Sequence, residues 1–197
     1  MILIILMLSC NNDDKEKIIT NPSEGISKVE LYKRPGLRPE TTLTVPHFQI
    51  GVNPVPEVNE ELYRRVYSIP GIEQKPSAAS SWDGLYLTED VSMAKPEATI
   101  EDREFGHIHT DGSLHIFLDP SRSQEAVDSC WAVFHPWALQ ETETGEQTEP
   151  GEEQKSWKGF VMLYTPLSIE ELNVTFQLIV DGYNNVTGQN IIATDFY

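Results

Sequence analysis

Cationic side chains are scarce in this sequence of 197 residues. Lys and Arg together number 14 against 31 Asp and Glu, which leaves a formal net charge of −17 at pH 7. Proteins that bind nucleic acids neutralise phosphates with clustered Lys and Arg, and electrostatic docking on anionic lipid needs a basic patch. The composition therefore argues against both kinds of partner, whereas a small molecule is compatible with it.

Several motifs of known chemistry are also missing. The chain has only two cysteines, Cys10 and Cys130, and hence no Cys-x-x-Cys pair. It contains no Gly-rich phosphate loop, no Gly-x-Ser-x-Gly elbow and no internal repeat. No nucleophilic triad can be recognised. Cys130 stands beside Trp131 and is expected to serve packing rather than catalysis.

Long apolar runs are absent apart from the first nine residues. Met1–Ser9 is too short to span a bilayer as a helix and is typical of the apolar core of a signal peptide. Leu8-Ser9-Cys10 resembles the cleavage box of a bacterial lipoprotein. This resemblance implies that Cys10 carries a lipid. We therefore expect a signal peptide over 1–10, a polar tether over 11–30, and a chain that is lipid-anchored at the bacterial cell envelope. The alternative is a buried, apolar N-terminal strand.

The rest of the chain has the pattern of one α+β domain. Helical periodicity predicts three helices, at 57–67, 122–130 and 168–182. Apolar runs predict three strands, at 72–75, 84–87 and 159–166, in addition to a hairpin at 103–118. Because hairpins pair antiparallel and helices must cover a sheet face, we expect a small antiparallel sheet with a central hairpin, covered on one face by two or three helices.

Two segments between these elements have sequence patterns that predict neither a helix nor a strand. Pro136 predicts that 131–139 is not helical. Six glutamates with almost no apolar residue predict a mobile acidic loop over 140–156. The polar residues after the last predicted helix, 184–197, are expected to form a C-terminal tail.

The most informative stretch is Glu104–Leu118, in which apolar and polar residues alternate on both sides of an Asp-Gly pair. A two-residue turn at 111–112 would place His115 on the face opposite His107. A three-residue loop with a left-handed Gly112 pairs His107 with His115 instead. Only the longer loop keeps Ile108, Leu114, Ile116 and Leu118 together on one apolar face, and a buried face specifies register strongly. We therefore predict the longer loop.

That register places His107, His109 and His115 together on the polar face of the hairpin. Neutral imidazoles in such a cluster can bind one Zn, Fe, Cu or Ni ion. His135, which follows the next helix, is a candidate fourth ligand or general base. In a regular strand the Glu104 side chain points to the other face, so Glu104 is not counted as a ligand. The alternative is a solvated sheet face on which these histidines bind no ligand.

A series of short motifs follows one order along the chain: Pro46–Gly51, Ile69–Ile72, Gly84–Leu87, Glu104–His109, Asp111–His115, Trp131, His135-Pro136, Val161–Pro166 and Glu170–Leu172. In these motifs the chain resembles the luciferase-domain family, named after the fungal luciferases, over about residues 31–183. The most specific part is the His-x-His…Asp-Gly-Ser-x-His hairpin with the later His-Pro. The resemblance implies the family's fold and a pocket formed by His107, His109, His115 and His135.

For the fungal luciferases, the resemblance implies oxidation of a hydroxylated pyrone by molecular oxygen with emission of light. The lipoprotein-like leader and the acidic loop after Leu139 depart from the family pattern. We expect an oxygenase-type enzyme that acts on a small aromatic or enolic molecule, with no cofactor or with one transition metal. Aromatic residues that could wall its pocket are Phe105, Phe117, Trp131 and Trp137. The alternative is a non-catalytic, lipid-anchored module that binds a ligand or another protein.

Overall fold

A computed structural model describes residues 30–144 and 156–197 of the chain. The predicted signal peptide with Cys10, nearly all of the predicted tether and most of the predicted acidic loop lie outside these ranges. No helix within the described ranges is long and apolar enough to cross a bilayer.

Within these ranges six strands form one sheet, in which every neighbouring pair is antiparallel. Their bounds are Ile72–Pro76 (β1), Asp83–Leu87 (β2), Glu104–Ile108 (β3), Leu114–Phe117 (β4), Ala132–Phe134 (β5) and Phe160–Leu163 (β6). They lie side by side in the order β1-β2-β3-β4-β6-β5, so the β3–β4 hairpin is central. With the four helices described below, this sheet confirms the predicted α+β class.

The register of the hairpin is the one predicted with the longer loop. His107 lies opposite His115 and Ile108 opposite Leu114. The His109 N–H donates to the Ser113 carbonyl at 2.8 Å, which closes the loop. Within the loop, Gly112 has a φ of 81°, the left-handed conformation that glycine adopts at little cost. Ile108, Leu114 and Ile116 consequently share one face of the sheet.

Helices cover that apolar face. The described part of the chain has four α-helices, Pro56–Val66 (α1), Pro120–Asp128 (α2), Pro136–Thr144 (α3) and Ile169–Thr187 (α4). α4 lies against β3, β4 and α1, and its buried side is an apolar stripe that includes Leu172, Phe176, Ile179 and Tyr183. At its start, the Ser168 hydroxyl accepts a hydrogen bond from the Glu171 N–H at 3.2 Å, as an N-cap does.

Two expectations about helix boundaries are wrong. The segment predicted to be non-helical turns into α3 at Pro136, because a proline at the first helical position loses only an N–H that would have no helical partner. α4 does not end at Gly182 but continues to Thr187, before a left-handed Gly188. At Gly182 a side chain would lie 2.8 Å from the Phe117 carbonyl oxygen, so this glycine permits close contact with β4 rather than ending the helix.

The N-terminal described segment, 30–55, reaches the opposite, polar face of the hairpin at His47, whose ring stacks on that of His115. Its backbone is held to the domain by a hydrogen bond from the Arg34 N–H to the Ser129 carbonyl at 2.8 Å. The Gln49 amide makes two bonds to Thr165, one from its Nε2 to the Thr165 hydroxyl at 2.8 Å and one from the Thr165 N–H to its Oε1 at 3.0 Å. These bonds place His47 over the hairpin.

We expect Gly182→Ala to destabilise the protein by about 1–3 kcal/mol, because the added methyl group would press on the β4 backbone. The sign is informative, since alanine normally stabilises a helix interior by about 1 kcal/mol relative to glycine. Urea unfolding of the variant measures the change. Gln177→Ala, on the same helix outside this contact, is the control and should stay within about 0.5 kcal/mol of the unmodified chain. A stabilised Gly182→Ala would refute the packing argument.

Candidate functional site

All five histidines of the chain lie in one buried cluster. His107 comes from β3 and His115 from β4, His109 stands at the end of the hairpin, and His135 lies between β5 and α3. The structure thus brings together the four histidines selected from the sequence. It adds His47, which lies within one of the motifs of the family resemblance but was given no role there.

His115 occupies the centre of the cluster. Its Nδ1 lies 2.9 Å from His107 Nε2 and 3.1 Å from His109 Nε2. Its Nε2 lies 3.1 Å from His47 Nδ1, and the two rings are stacked with centroids 5.2 Å apart. His135 approaches edge-on, with its ring centroid 4.8 Å from that of His115. Both nitrogens of His115 are therefore committed to other imidazoles.

Glu104 contacts this cluster, which corrects the expectation that its side chain points to the other face. Its Oε1 accepts a hydrogen bond from His107 Nδ1 at 3.1 Å. The register of β2 and β3 shifts so that Leu85 faces Gly106 while Tyr86 faces Glu104, and the strand has a bulge at the skipped residue. The bulge breaks the alternation of side chains on which the expectation rested.

A second carboxylate reaches the cluster through a hydroxyl. Ser113 Oγ lies 2.8 Å from His109 Nδ1 and 2.7 Å from Asp111 Oδ1. A hydroxyl has one proton, and it donates that proton to the carboxylate, which can only accept. The hydroxyl oxygen therefore accepts from His109 Nδ1–H, so the lone pair of His109 lies on Nε2 and points to His115.

His135 has the opposite tautomer. Its Nδ1 accepts a hydrogen bond from the Trp137 backbone N–H at 3.2 Å, so in the neutral ring the proton is on Nε2. This geometry makes His135 a hydrogen-bond donor through Nε2. It disfavours the general-base role considered from the sequence.

Burial keeps four of these imidazoles neutral, those of His47, His109, His115 and His135. Desolvation lowers the pKa of His47 to about 4, and burial together with the neighbouring histidines lowers the pKa of His109 to about 3. The same causes lower the pKa of His135 to about 3 and hold the pKa of His115 well below its ordinary value. Burial alone would raise the pKa of Glu104, but hydrogen bonds from His107, Ser77 and the Ala78 N–H together lower it.

A cavity of ≈ 230 Å³ borders the cluster. Its lining includes four of the histidines and two indoles: His47, His107, His115, His135, Trp82 and Trp137. Asp, Glu, Lys and Arg do not occur among the described residues that line it. Trp82 also packs against His109, with ring centroids 4.0 Å apart and the ring planes tilted by 38°. The lining of the cavity is accordingly rich in aromatic rings.

The aromatic residues predicted to wall the pocket divide into two groups. Trp137 lines the cavity, whereas Phe105, Phe117 and Trp131 do not. Phe105 lies at the bulge in β3, and its side chain is buried in the core near Tyr183 of α4. Phe117 lies behind Phe160, with the two rings stacked at 4.6 Å.

Trp131 is anchored away from the cavity, because its indole N–H donates to the Tyr32 carbonyl at 2.7 Å. Trp82 was not selected from the sequence, since it lies at the end of a Ser-rich stretch that has the composition of a loop. No local pattern marks that residue as part of a site.

Two overlapping sets of three histidines have nitrogens close enough to hold one metal ion. They are His107, His109 and His115, as expected from the hairpin, and His47, His115 and His135. His115 belongs to both sets, so the two sites could not be filled independently.

Comparison with protein families gives one match within the chain. Residues 102–180 match the family model described as Luciferase domain. The matched range runs from the start of β3 into α4 and includes His107, His109, His115 and His135, whereas His47 lies outside it. No curated protein and no solved structure matches the chain.

The buried neutral histidines should make the metal-free protein sensitive to acid. An unfolded chain binds protons at an ordinary histidine pKa of about 6.5, whereas His135 in the folded chain stays neutral down to a pKa of about 3. Between these values the unfolded state holds more protons, so stability falls as the pH is lowered from about 6.5 toward 3.

Urea unfolding between pH 4.5 and 6 in the presence of a chelator measures this effect. Each such histidine contributes about 1.4 kcal/mol per pH unit to the slope. The variant His135→Gln should therefore have a slope shallower by about that amount. An unchanged slope would show that His135 titrates alike in the folded and unfolded chains.

Proposed function

We propose that this protein is an oxygenase-type enzyme that acts on a small aromatic or enolic molecule, because residues 102–180 match the family model described as Luciferase domain. The observation that carries the proposal is the ≈ 230 Å³ cavity, with imidazoles and indoles in its lining. Ligand sites for drug-sized molecules usually occupy about 300–1,000 Å³, so this volume favours a substrate with one or two rings.

The lining of the cavity suits such a substrate in two ways. The indoles of Trp82 and Trp137 offer flat apolar surfaces to a planar ring. His135 Nε2–H is a donor for an oxygen of the substrate, because its Nδ1 is occupied by the Trp137 N–H. A developing negative charge on that oxygen is stabilised best where no carboxylate competes for the donor. His107 and His115 complete the proposed catalytic wall, with His109 directly behind them.

The oxidant in this proposal is molecular oxygen. When both atoms of dioxygen are added to the substrate, the two electrons needed for each new bond come from the substrate itself. The balance then requires no reductant and no second substrate. Exclusion of bulk water by the indoles and by the 45–47 segment protects reactive intermediates from side reactions.

Oxygen uptake tests this proposal directly. A panel of catechols and hydroxylated pyrones is offered to the full chain, and an oxygen electrode together with ¹⁸O₂ mass spectrometry follows the reaction. We expect uptake equal to product formed, with two labelled oxygen atoms in the product. Trp82→Ala, which opens the cavity wall, should lower kcat/KM by roughly 10-fold or more. Met162→Leu, a volume-conserving change on the same sheet face outside the cavity, is the control and should leave it unchanged.

The same panel distinguishes an enzyme from a binding module. Trp82 and Trp137 line the cavity, so a bound aromatic compound should quench tryptophan fluorescence. Quenching that is lost in Trp82→Ala, without oxygen uptake for any bound compound, would refute the enzyme and support a non-catalytic ligand-binding protein.

We also propose that the chain is held at the bacterial cell envelope by a lipid on Cys10. The support is the apolar run Met1–Ser9 followed by Cys10 and a polar stretch. Expression in a bacterium fed with labelled palmitate should give a labelled protein in the membrane fraction. Cys10→Ser should abolish both the label and the membrane association. A label that persists in Cys10→Ser, or none in the unmodified chain, would contradict the proposal.

A further inference from the structure

We propose that one divalent transition-metal ion binds between His107 Nε2, His109 Nε2 and His115 Nδ1. The inference deepens the proposed function, since two of these ligands also line the cavity. It stands on the geometry of the cluster and does not depend on the identity of the substrate.

The first argument is the spacing of the three nitrogens. His115 Nδ1 lies 2.9 Å from His107 Nε2 and 3.1 Å from His109 Nε2. With metal–nitrogen bonds of about 2.1 Å, nitrogens at these separations subtend roughly 90° at the ion. That angle is typical of adjacent ligands in a six-coordinate complex, whereas a tetrahedral ion requires about 109°. The set therefore favours an ion such as Fe²⁺ or Co²⁺, and its nitrogen donors disfavour Mg²⁺ and Ca²⁺.

The second argument is the direction of the lone pairs. His107 Nδ1 donates to the Glu104 carboxylate, which leaves the lone pair of that ring on Nε2. His109 Nδ1 donates to Ser113, whose own proton goes to Asp111, and this again leaves the lone pair on Nε2. Both lone pairs point at the same nitrogen of His115.

The third argument concerns His115 itself. A single N–H on its Nδ1 would have to be shared between two acceptors. An ion at this position satisfies all three nitrogens together and lets His115 Nε2–H donate to His47 Nδ1, 3.1 Å away. Each ligand then has an outer partner that orients its ring, which is the usual arrangement of histidine metal sites.

The alternative set, His47, His115 and His135, lacks this arrangement. The Trp137 N–H occupies the Nδ1 lone pair of His135, and in the neutral ring its Nε2 carries the proton. His135 therefore has no lone pair to give to an ion. This difference decides between the two sets and makes His135 a suitable control position.

Metal binding to the full chain, measured without any substrate, tests the proposal. The chelator-treated protein is titrated anaerobically with Co²⁺ in a calorimeter, and bound metal is counted by mass spectrometry. We expect one ion per chain and the weak visible spectrum of six-coordinate Co²⁺. His109→Ala should weaken binding at least 100-fold, whereas His135→Ala should change it less than about threefold. Glu104→Gln, which replaces the outer carboxylate by a neutral amide, should weaken binding by about 10- to 100-fold.

Three results would overturn the proposal: less than one bound Co²⁺ per chain, equal binding by His109→Ala and the unmodified chain, or an equal loss in His135→Ala. Circular dichroism establishes that each variant is folded. If His109→Ala fails to fold, pulsed electron paramagnetic resonance of Cu²⁺ in the unmodified chain decides, because coordinated imidazoles modulate the echo and their absence refutes the site. Metal binding without oxygen uptake would leave this site established while the proposed oxygenase fails.

Discussion

The pairing of His107 with His115 across the central hairpin is the constraint on which the rest of the site depends. It follows from a three-residue loop that needs a left-handed glycine at Gly112. A shift of the strand register by one residue would move His115 to the helix-covered face of the sheet and would move apolar side chains to the polar face. The hydrophobic effect that holds α4 against the sheet therefore also fixes the imidazoles, because the two faces of the hairpin cannot be set independently.

Around this pair, the chain meets the requirement that buried polar groups have partners. Glu104 is brought in by a bulge, Asp111 by the turn, and His47 by a segment that Gln49 ties to Thr165. These three partners differ in sequence distance and in structural cause. Each of them satisfies an outward-facing imidazole nitrogen, namely His107 Nδ1, His109 Nδ1 or His115 Nε2. The inner nitrogens are left facing one another, and this unusual concentration of lone pairs gives the site its chemical character.

Much of the fold and part of the site could be predicted from the sequence. The features that could not be predicted have physical reasons. Alternation around the Asp-Gly pair gave the register, and with it three of the five histidines. The contact of Glu104 with the cluster could not be predicted, because a bulge reverses the direction of a side chain without any local signal. The role of His47 could not be predicted because its contact with His115 spans 68 residues of chain. Pro136 was expected to prevent a helix and instead begins α3. Proline can both end and begin helices, and only tertiary context selects between these roles.

The position of His47 bears on where the functional unit of this chain begins. The family match starts at residue 102, after β1, β2 and the entire 30–55 segment. A fragment cut at that point would expose the hydrogen-bonding edge of β3 and open His115 to water, so the dielectric around the imidazoles would rise toward that of the solvent. The matched range therefore marks a recognisable signature, whereas the smallest piece that can preserve the chemistry of the cluster extends back at least to the residues that carry His47.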